Sequence, residues 1–138
     1  KIQHTKIPTV VRNGIFHLRA TLYYMTPEKL QSIAFKWLDT FNNKELEKLL
    51  SLYDDDAVHF SPKLKISKPE TNGFVREWWL DAFERLPSLN YKVKSLTANG
   101  DRVFMEYTRT VTGEEDLLVA EVLDIRDDLI VASRVYHG

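Results

Sequence analysis

The chain of 138 residues has no cysteine. Disulfides, thiolate nucleophiles and cysteine-ligated metals are therefore excluded. It also lacks an excess of either charge. Its 19 Lys and Arg against 20 Asp and Glu leave a net −1, which offers no general electrostatic grip on nucleic acid. No apolar run approaches the roughly 20 residues that span a bilayer. There is no glycine-rich phosphate loop, no dinucleotide fingerprint and no Gly-x-Ser-x-Gly elbow. The four histidines, His4, His17, His59 and His137, lie far apart and show no metal-ligand spacing. No metal or cofactor is expected from these residues, and neither a nucleic-acid nor a membrane partner. No secretory segment is visible, which makes the cytoplasm the default expectation.

What is present suits one globular domain: 43% hydrophobic and 28% charged residues in a length that buries roughly two-thirds of its unfolded surface. The charge is unevenly placed. Lys1, Lys6, Arg12 and Arg19 stand in residues 1–26 with no acid, whereas the remaining 15 basic and all 20 acidic residues follow, a balance of −5. This shift predicts an N-terminal extension over 1–24 and a folded domain over 25–138, the latter opening on Met25-Thr26-Pro27-Glu28. Within the extension, Asn13-Gly14 between two apolar stretches is a hairpin signal. An arm on a partner chain, a targeting peptide and an expression artefact are all open readings of it.

Helices come first along the chain. Thr26 is an N-cap and Pro27 suits the first helical position. Leu30, Ile33, Ala34, Trp37, Leu38 and Phe41 then recur at helical spacing. Asn42 with Glu45 marks a second helix start, whose stripe is Leu46, Leu49, Leu50 and Tyr53, ended by Asp54-Asp55-Asp56. Residues 57–61 read as a short strand before Pro62, and 62–70 as a loop. A third helix carries Phe74, Val75, Trp78, Trp79, Ala82, Phe83 and Leu86 and stops at Pro87. The remainder is a meander: residues 89–97, a turn at Asn99-Gly100, 102–112, a turn near Gly113, 117–126, an Asp127-Asp128 turn and 129–137. Helices followed by antiparallel strands predict an α+β fold, three helices packed on one face of a bent antiparallel sheet and enclosing a pocket.

The strand over 117–126 departs from a plain core pattern. One face reads Leu117, Val119, Glu121, Leu123 and Ile125, four aliphatics and a carboxylate. If that face meets the helices, Glu121 must be paired, solvated by a cavity or protonated. Otherwise it faces water at a sheet bend or holds a structural arginine. The neighbouring strand presents Val103, Met105, Tyr107, Arg109 and Val111, so a hairpin turning near Gly113 sets Tyr107 or Arg109 across from Glu121, and an Arg109–Glu121 contact is expected. His59 shares a strand face with Ser61. It is either a proton carrier of near-neutral pKa or a packed, hydrogen-bonded residue. Trp37, Trp78 and Trp79 suit the core, with Trp37 the one that could instead wall a cavity.

The run from Phe35 to Pro62 (helix, Asn-rich break, helix, acidic cluster, strand ending in proline), Phe74-Val75-Arg76-Glu77-Trp78-Trp79, and the stretch Val119 to Val131 together resemble the nuclear transport factor 2-like superfamily. The likeness covers about residues 27–138 and is to its SnoaL-like and ketosteroid isomerase-like branch. It implies a cone-shaped roll with an apolar pocket, a small-molecule ligand, and a homodimer through the outer sheet face. In ketosteroid isomerase an Asp base works with a Tyr and a protonated Asp. The matching positions here carry Ser61, Trp37 and Glu121, so only the last keeps a carboxyl group. SnoaL-like polyketide cyclases place an acid where Glu121 stands. The Arg-x-Asp pair and second Asp of limonene epoxide hydrolase-type enzymes fall on Tyr107, Arg109 and Val135, so both acids are missing. The resemblance thus implies either cofactor-free isomerisation, cyclisation or dehydration or a non-catalytic ligand-binding or dimerisation module of the same fold. In the enzyme reading Glu121, His59, Arg109 and Tyr107 are the catalytic set, and Trp37, Ser61, Val119 and Leu123 line the pocket.

Overall fold

The computed structural model describes residues 25–62 and 72–137, with the side chains of 72–75 left aside. The extension with its Asn13-Gly14 signal, most of the 62–70 loop and the side chains of Phe74 and Val75 lie outside the described residues. The elements run α1 (Pro27–Asn42), α2 (Leu46–Leu50), β1 (Tyr53–Phe60), α3 (Asn72–Arg85), β2 (Asn90–Asn99), β3 (Arg102–Thr110), β4 (Leu117–Arg126) and β5 (Leu129–His137). The fold is α+β, with the helices preceding most of the sheet as the sequence order implies.

Helix α1 begins where its chemistry dictates. The Thr26 hydroxyl accepts from the Lys29 amide at 3.2 Å, and Pro27 occupies the first turn. Its buried face is the expected stripe, joined by Thr40. The helix ends on Asn42, whose side chain reaches across to the sheet. Asn42 Nδ2 donates to the Tyr91 carbonyl at 2.9 Å, and the Tyr91 amide donates back to Asn42 Oδ1 at 2.8 Å. Asn42 therefore ties α1 to β2 instead of starting the next helix. Lys44, at φ 57, makes the break, and its ammonium donates to the Leu89 carbonyl. The second helix stops earlier than its stripe suggests. Tyr53 belongs to β1, and so does the acidic triplet that was expected to end the helix.

The five strands form one sheet in the order β1-β5-β4-β3-β2. Strands β2 to β5 make the expected antiparallel meander, but β1 adds to β5 in parallel, so the sheet is mixed. The chain crosses from β1 to the far edge through α3, which leaves β1 free to lie alongside the last strand in the same direction. Gly100 takes a positive φ of 65° in the two-residue loop between the paired Asn99 and Arg102, and Asp127 and Asp128 adopt 51° and 66° in the last hairpin. Such left-handed loop residues match the twist of the strands they join.

Alternation along β4 sends Val119, Glu121, Leu123 and Ile125 to the helix side. From β3, Val103, Met105 and Tyr107 meet the same side. Rings fill the space between α1 and the sheet. Phe41, Tyr91 and Tyr107 stack in sequence, with centroids 4.0 Å and then 4.2 Å apart, and Trp37 lies 5.4 Å from Phe41. Trp37, 0% exposed, donates its indole N–H to the Tyr53 hydroxyl at 2.8 Å.

Candidate functional site

A cavity of about 260 Å³ opens between α3 and the wide end of the sheet. Helix α3 contributes Trp78, Trp79, Ala82 and Arg85, with Leu86 just after it, and the sheet contributes His59 from β1, Tyr91 from β2, Tyr107 and Arg109 from β3, Val119 from β4, and Val135 and His137 from β5. Ser61 and Glu114 lie at its margins in the chain following β1 and β3. The register explains the convergence. Tyr107, Val119 and His137 form one cross-strand row, and Met105, Glu121 and Val135 form the next row inward.

Glu121 is the chemically unusual member of the sheet. It is 1% exposed, flanked along β4 by Val119 and Leu123. Tyr107 donates its hydroxyl to Glu121 Oε2 at 2.7 Å, while Oε1 has no hydrogen-bond partner among the described residues. Burial disfavours the carboxylate and pushes the Glu121 pKa up to about 8, a shift that the Tyr107 hydrogen bond only partly opposes. The carboxyl group thus keeps its proton at neutral pH. Burial and the neighbouring Glu121 also raise Tyr107, Tyr91 and Tyr53, so all three remain neutral hydroxyl donors.

His59 is shifted the other way. Its ring is 4% exposed, packs edge-on against Trp79 at 5.7 Å, and has Nδ1 2.6 Å from the Ser133 hydroxyl. Burial lowers its pKa to about 4, so the imidazole is neutral. When Nδ1–H donates to Ser133, the lone pair on Nε2 is the one left for chemistry; a serine hydroxyl both donates and accepts, so the bond itself suits either tautomer. An unprotonated imidazole on the cavity wall thus stands near a protonated carboxyl group held behind that wall, their pKa values pushed apart by burial.

Three expectations need correction. The Arg109–Glu121 contact is absent: Arg109 donates instead to Glu114 Oε2 at 2.8 Å. The register places Met105 directly opposite Glu121 and Leu117 opposite Arg109. Four strand residues, roughly 13 Å, therefore separate the row of Arg109 from that of Glu121. Tyr107 reaches Glu121 on the diagonal. Trp37 and Leu123, both 0% exposed, sit in the core and not on the cavity wall, because the ring stack of Phe41, Tyr91 and Tyr107 and the inward row of Glu121 stand between them and the opening. Glu121 itself is one layer behind that wall, reached through Tyr107. His59, Ser61, Tyr107, Arg109 and Val119 do line it. Tyr91, Ser133 and Arg85 were missed. Tyr91 could have been found from its alternation in 89–97, whereas Ser133 faces His59 only through the parallel β1–β5 pairing.

A family model described as a SnoaL-like domain matches residues 34–133. The chain belongs to the SnoaL-like family. Solved structures agree on the fold. A SnoaL-like protein of unknown function from Burkholderia thailandensis is 23% identical with a TM-score of 0.72, over 83% of this chain and 98% of that one. A protein named as a candidate ketosteroid isomerase from Kribbella flavida is 21% identical with a TM-score of 0.69, over 81% and 79%. A candidate polyketide cyclase from Streptomyces antibioticus is 17% identical with a TM-score of 0.66, over 78% and 91%. At these identities the likeness speaks for the fold, the cone-shaped α+β roll of the nuclear transport factor 2-like superfamily. No curated protein matches the chain. Among the described residues of this SnoaL-like chain no helix is long and apolar enough to cross a membrane, and no cluster of side chains could hold a metal ion.

Proposed function

We propose that this SnoaL-like chain takes a small, largely apolar molecule into the cavity beneath α3 and performs cofactor-free acid–base chemistry on it, such as isomerisation, cyclisation or dehydration. The observation that carries this reading is the Tyr107–Glu121 pair: a wall hydroxyl 2.7 Å from a fully buried carboxyl group that holds its proton at neutral pH. On substrate binding the Tyr107 hydroxyl turns its hydrogen toward a substrate carbonyl and in turn accepts a hydrogen bond from the protonated Glu121 carboxyl group. Two neutral donors in series then stabilise the negative charge that develops on that oxygen in a low-dielectric site. His59 takes the proton from the adjacent carbon and returns it at a second carbon, so an isomerisation balances without a co-reactant. A pKa near 4 makes His59 a weak base, which leaves most of the demand on the oxyanion side. The candidate isomerase and candidate cyclase among the structural relatives are consistent with this class of reaction.

The test is deuterium exchange. Small enolisable and unsaturated ketones are incubated with the protein in D2O and followed by NMR. Exchange or double-bond migration is expected with the wild type and should fall by about 100-fold in both Glu121→Gln and Tyr107→Phe. Full activity in both variants would overturn the assignment.

A second reading, passive binding, has its own support: Glu121 does not reach the wall, and stacked rings occupy the interior of the cone. On that reading bound ketones are recovered with no deuterium incorporated. Either reading includes a second copy of the chain as partner. The sheet face turned away from the helices exposes Phe104, Leu118 and Tyr136 at 42%, 50% and 55%, an apolar surface suited to self-association.

A further inference from the structure

The polar end of the cavity is not used by the acid–base chemistry, and it has a definite character. Arg109 is the enclosed member, its side chain 13% exposed. One of its nitrogens, Nη1, donates to Glu114 at 2.8 Å. A guanidinium carries five N–H donors in a planar fork, so a single-point pairing leaves most of its capacity directed elsewhere. Glu114 is 47% exposed, far wetter than the arginine it pairs with. Its carboxylate therefore already has access to water, whereas Arg109 is largely enclosed in the wall. Arg85, from the last turn of α3, adds a second guanidinium to the same wall, although it also pairs with Asp81 at 2.8 Å. The inner end carries no negative charge to oppose an anion, because Glu121 is neutral there.

We infer that the ligand of this cavity carries a carboxylate, which displaces Glu114 and docks on Arg109. The inference rests on the reading of the cavity as a small-molecule site and specifies what enters it. Arg109 and Tyr107 are two residues apart on one strand face, roughly 7 Å along β3. A ligand whose carboxylate meets Arg109 therefore presents a second oxygen, on the next row, to Tyr107. The chemical class is a short oxo-carboxylic acid with an apolar body lying against Trp78, Trp79 and Val119. Its size is limited by the 260 Å³ volume, below the range of about 300–1,000 Å³ typical of sites for drug-sized ligands. Arg109 is a binding and orienting residue in this arrangement. It fixes the end of the molecule that does not react, and so sets which carbon faces His59.

The test compares phenylacetate with phenylacetamide, which have the same body and differ in charge. Binding is followed by calorimetry and by NMR shifts of the indole N–H signals. The wild type is expected to bind phenylacetate about tenfold more tightly than the amide, the usual advantage of a charge-assisted pair over a neutral one. Arg109→Gln should remove that preference, and Arg109→Lys should restore part of it. Glu114→Gln should strengthen phenylacetate binding, because the competing carboxylate is gone; this second variant keeps the arginine and guards against a folding defect in the first. Equal affinity for the two probes, or an unchanged preference in Arg109→Gln, would overturn the inference while leaving the cavity as a ligand site. Binding of neither probe at millimolar concentration would overturn both.

Discussion

Glu121 and His59 are buried in the same half of the molecule and respond to pH in opposite senses. Glu121 has its folded pKa raised from 4.5 to about 8, so the folded state binds the extra proton, and its contribution to stability is lost as pH rises between those values. His59 has its folded pKa lowered from 6.5 to about 4, so its contribution is present above 6.5 and lost as pH falls toward 4. Between about 4.5 and 6.5 the two slopes cancel. From 6.5 to 8 only Glu121 acts, and stability should fall with pH by at most about 1.4 kcal/mol per unit. Urea denaturation at a series of pH values measures this. The wild type should show a plateau and then a decline, and Glu121→Gln should lose the decline and exceed the wild type above pH 8. A stability profile that is flat from 6.5 to 8 in the wild type would show that Glu121 is not protonated in the folded protein.

At the scale of elements, the join between α1 and β2 positions the ring ladder that walls the cavity. Asn42 satisfies both backbone groups of Tyr91, and the Tyr91 ring lies between Phe41 and Tyr107. Asn42→Ala removes both bonds at once and leaves the partners half-buried. The expected loss is about 1–3 kcal/mol, read as a lower urea midpoint at unchanged slope. The same variant should weaken phenylacetamide binding, since Tyr91 and Tyr107 are cavity residues. Unchanged stability would mean that ring stacking alone holds the helix end in place. This join was not legible in the sequence, where Asn42-x-x-Glu45 reads as a helix start. Helix α1 itself was legible, because its cap, proline and apolar period all agree. Strand β1 was legible only in its second half: Tyr53 has the right spacing for a helix stripe, and only pairing with β5 pulls it into the sheet.

For the whole molecule, the proposed self-association places its contacts on the outer sheet face. Phe104, Leu118 and Tyr136 project on the side opposite to Glu121, with the ion pairs of Asp124 to Arg102 and Arg134 at 2.8 and 2.6 Å on the same side. A homodimer through this face is expected in sedimentation equilibrium. The double variant Phe104→Glu, Leu118→Glu places like charges in the interface and should give a folded monomer. A wild type that sediments as a monomer at all concentrations would remove the dimer from the proposal.

The sequence by itself determined the α+β class, the order of the elements and the set of residues that share a strand face with Glu121, because each depends on local periodicity and turn chemistry along one stretch of chain; that this face meets the helices came from the tertiary structure. It also narrowed the site to Glu121, His59, Tyr107 and Arg109 by type. Only the tertiary structure decided which of these meet. Strand register set Tyr107, and not Arg109, on Glu121, and the parallel β1–β5 pairing delivered Ser133 to His59. Register and strand order are fixed by packing between segments distant in sequence. No local pattern records them.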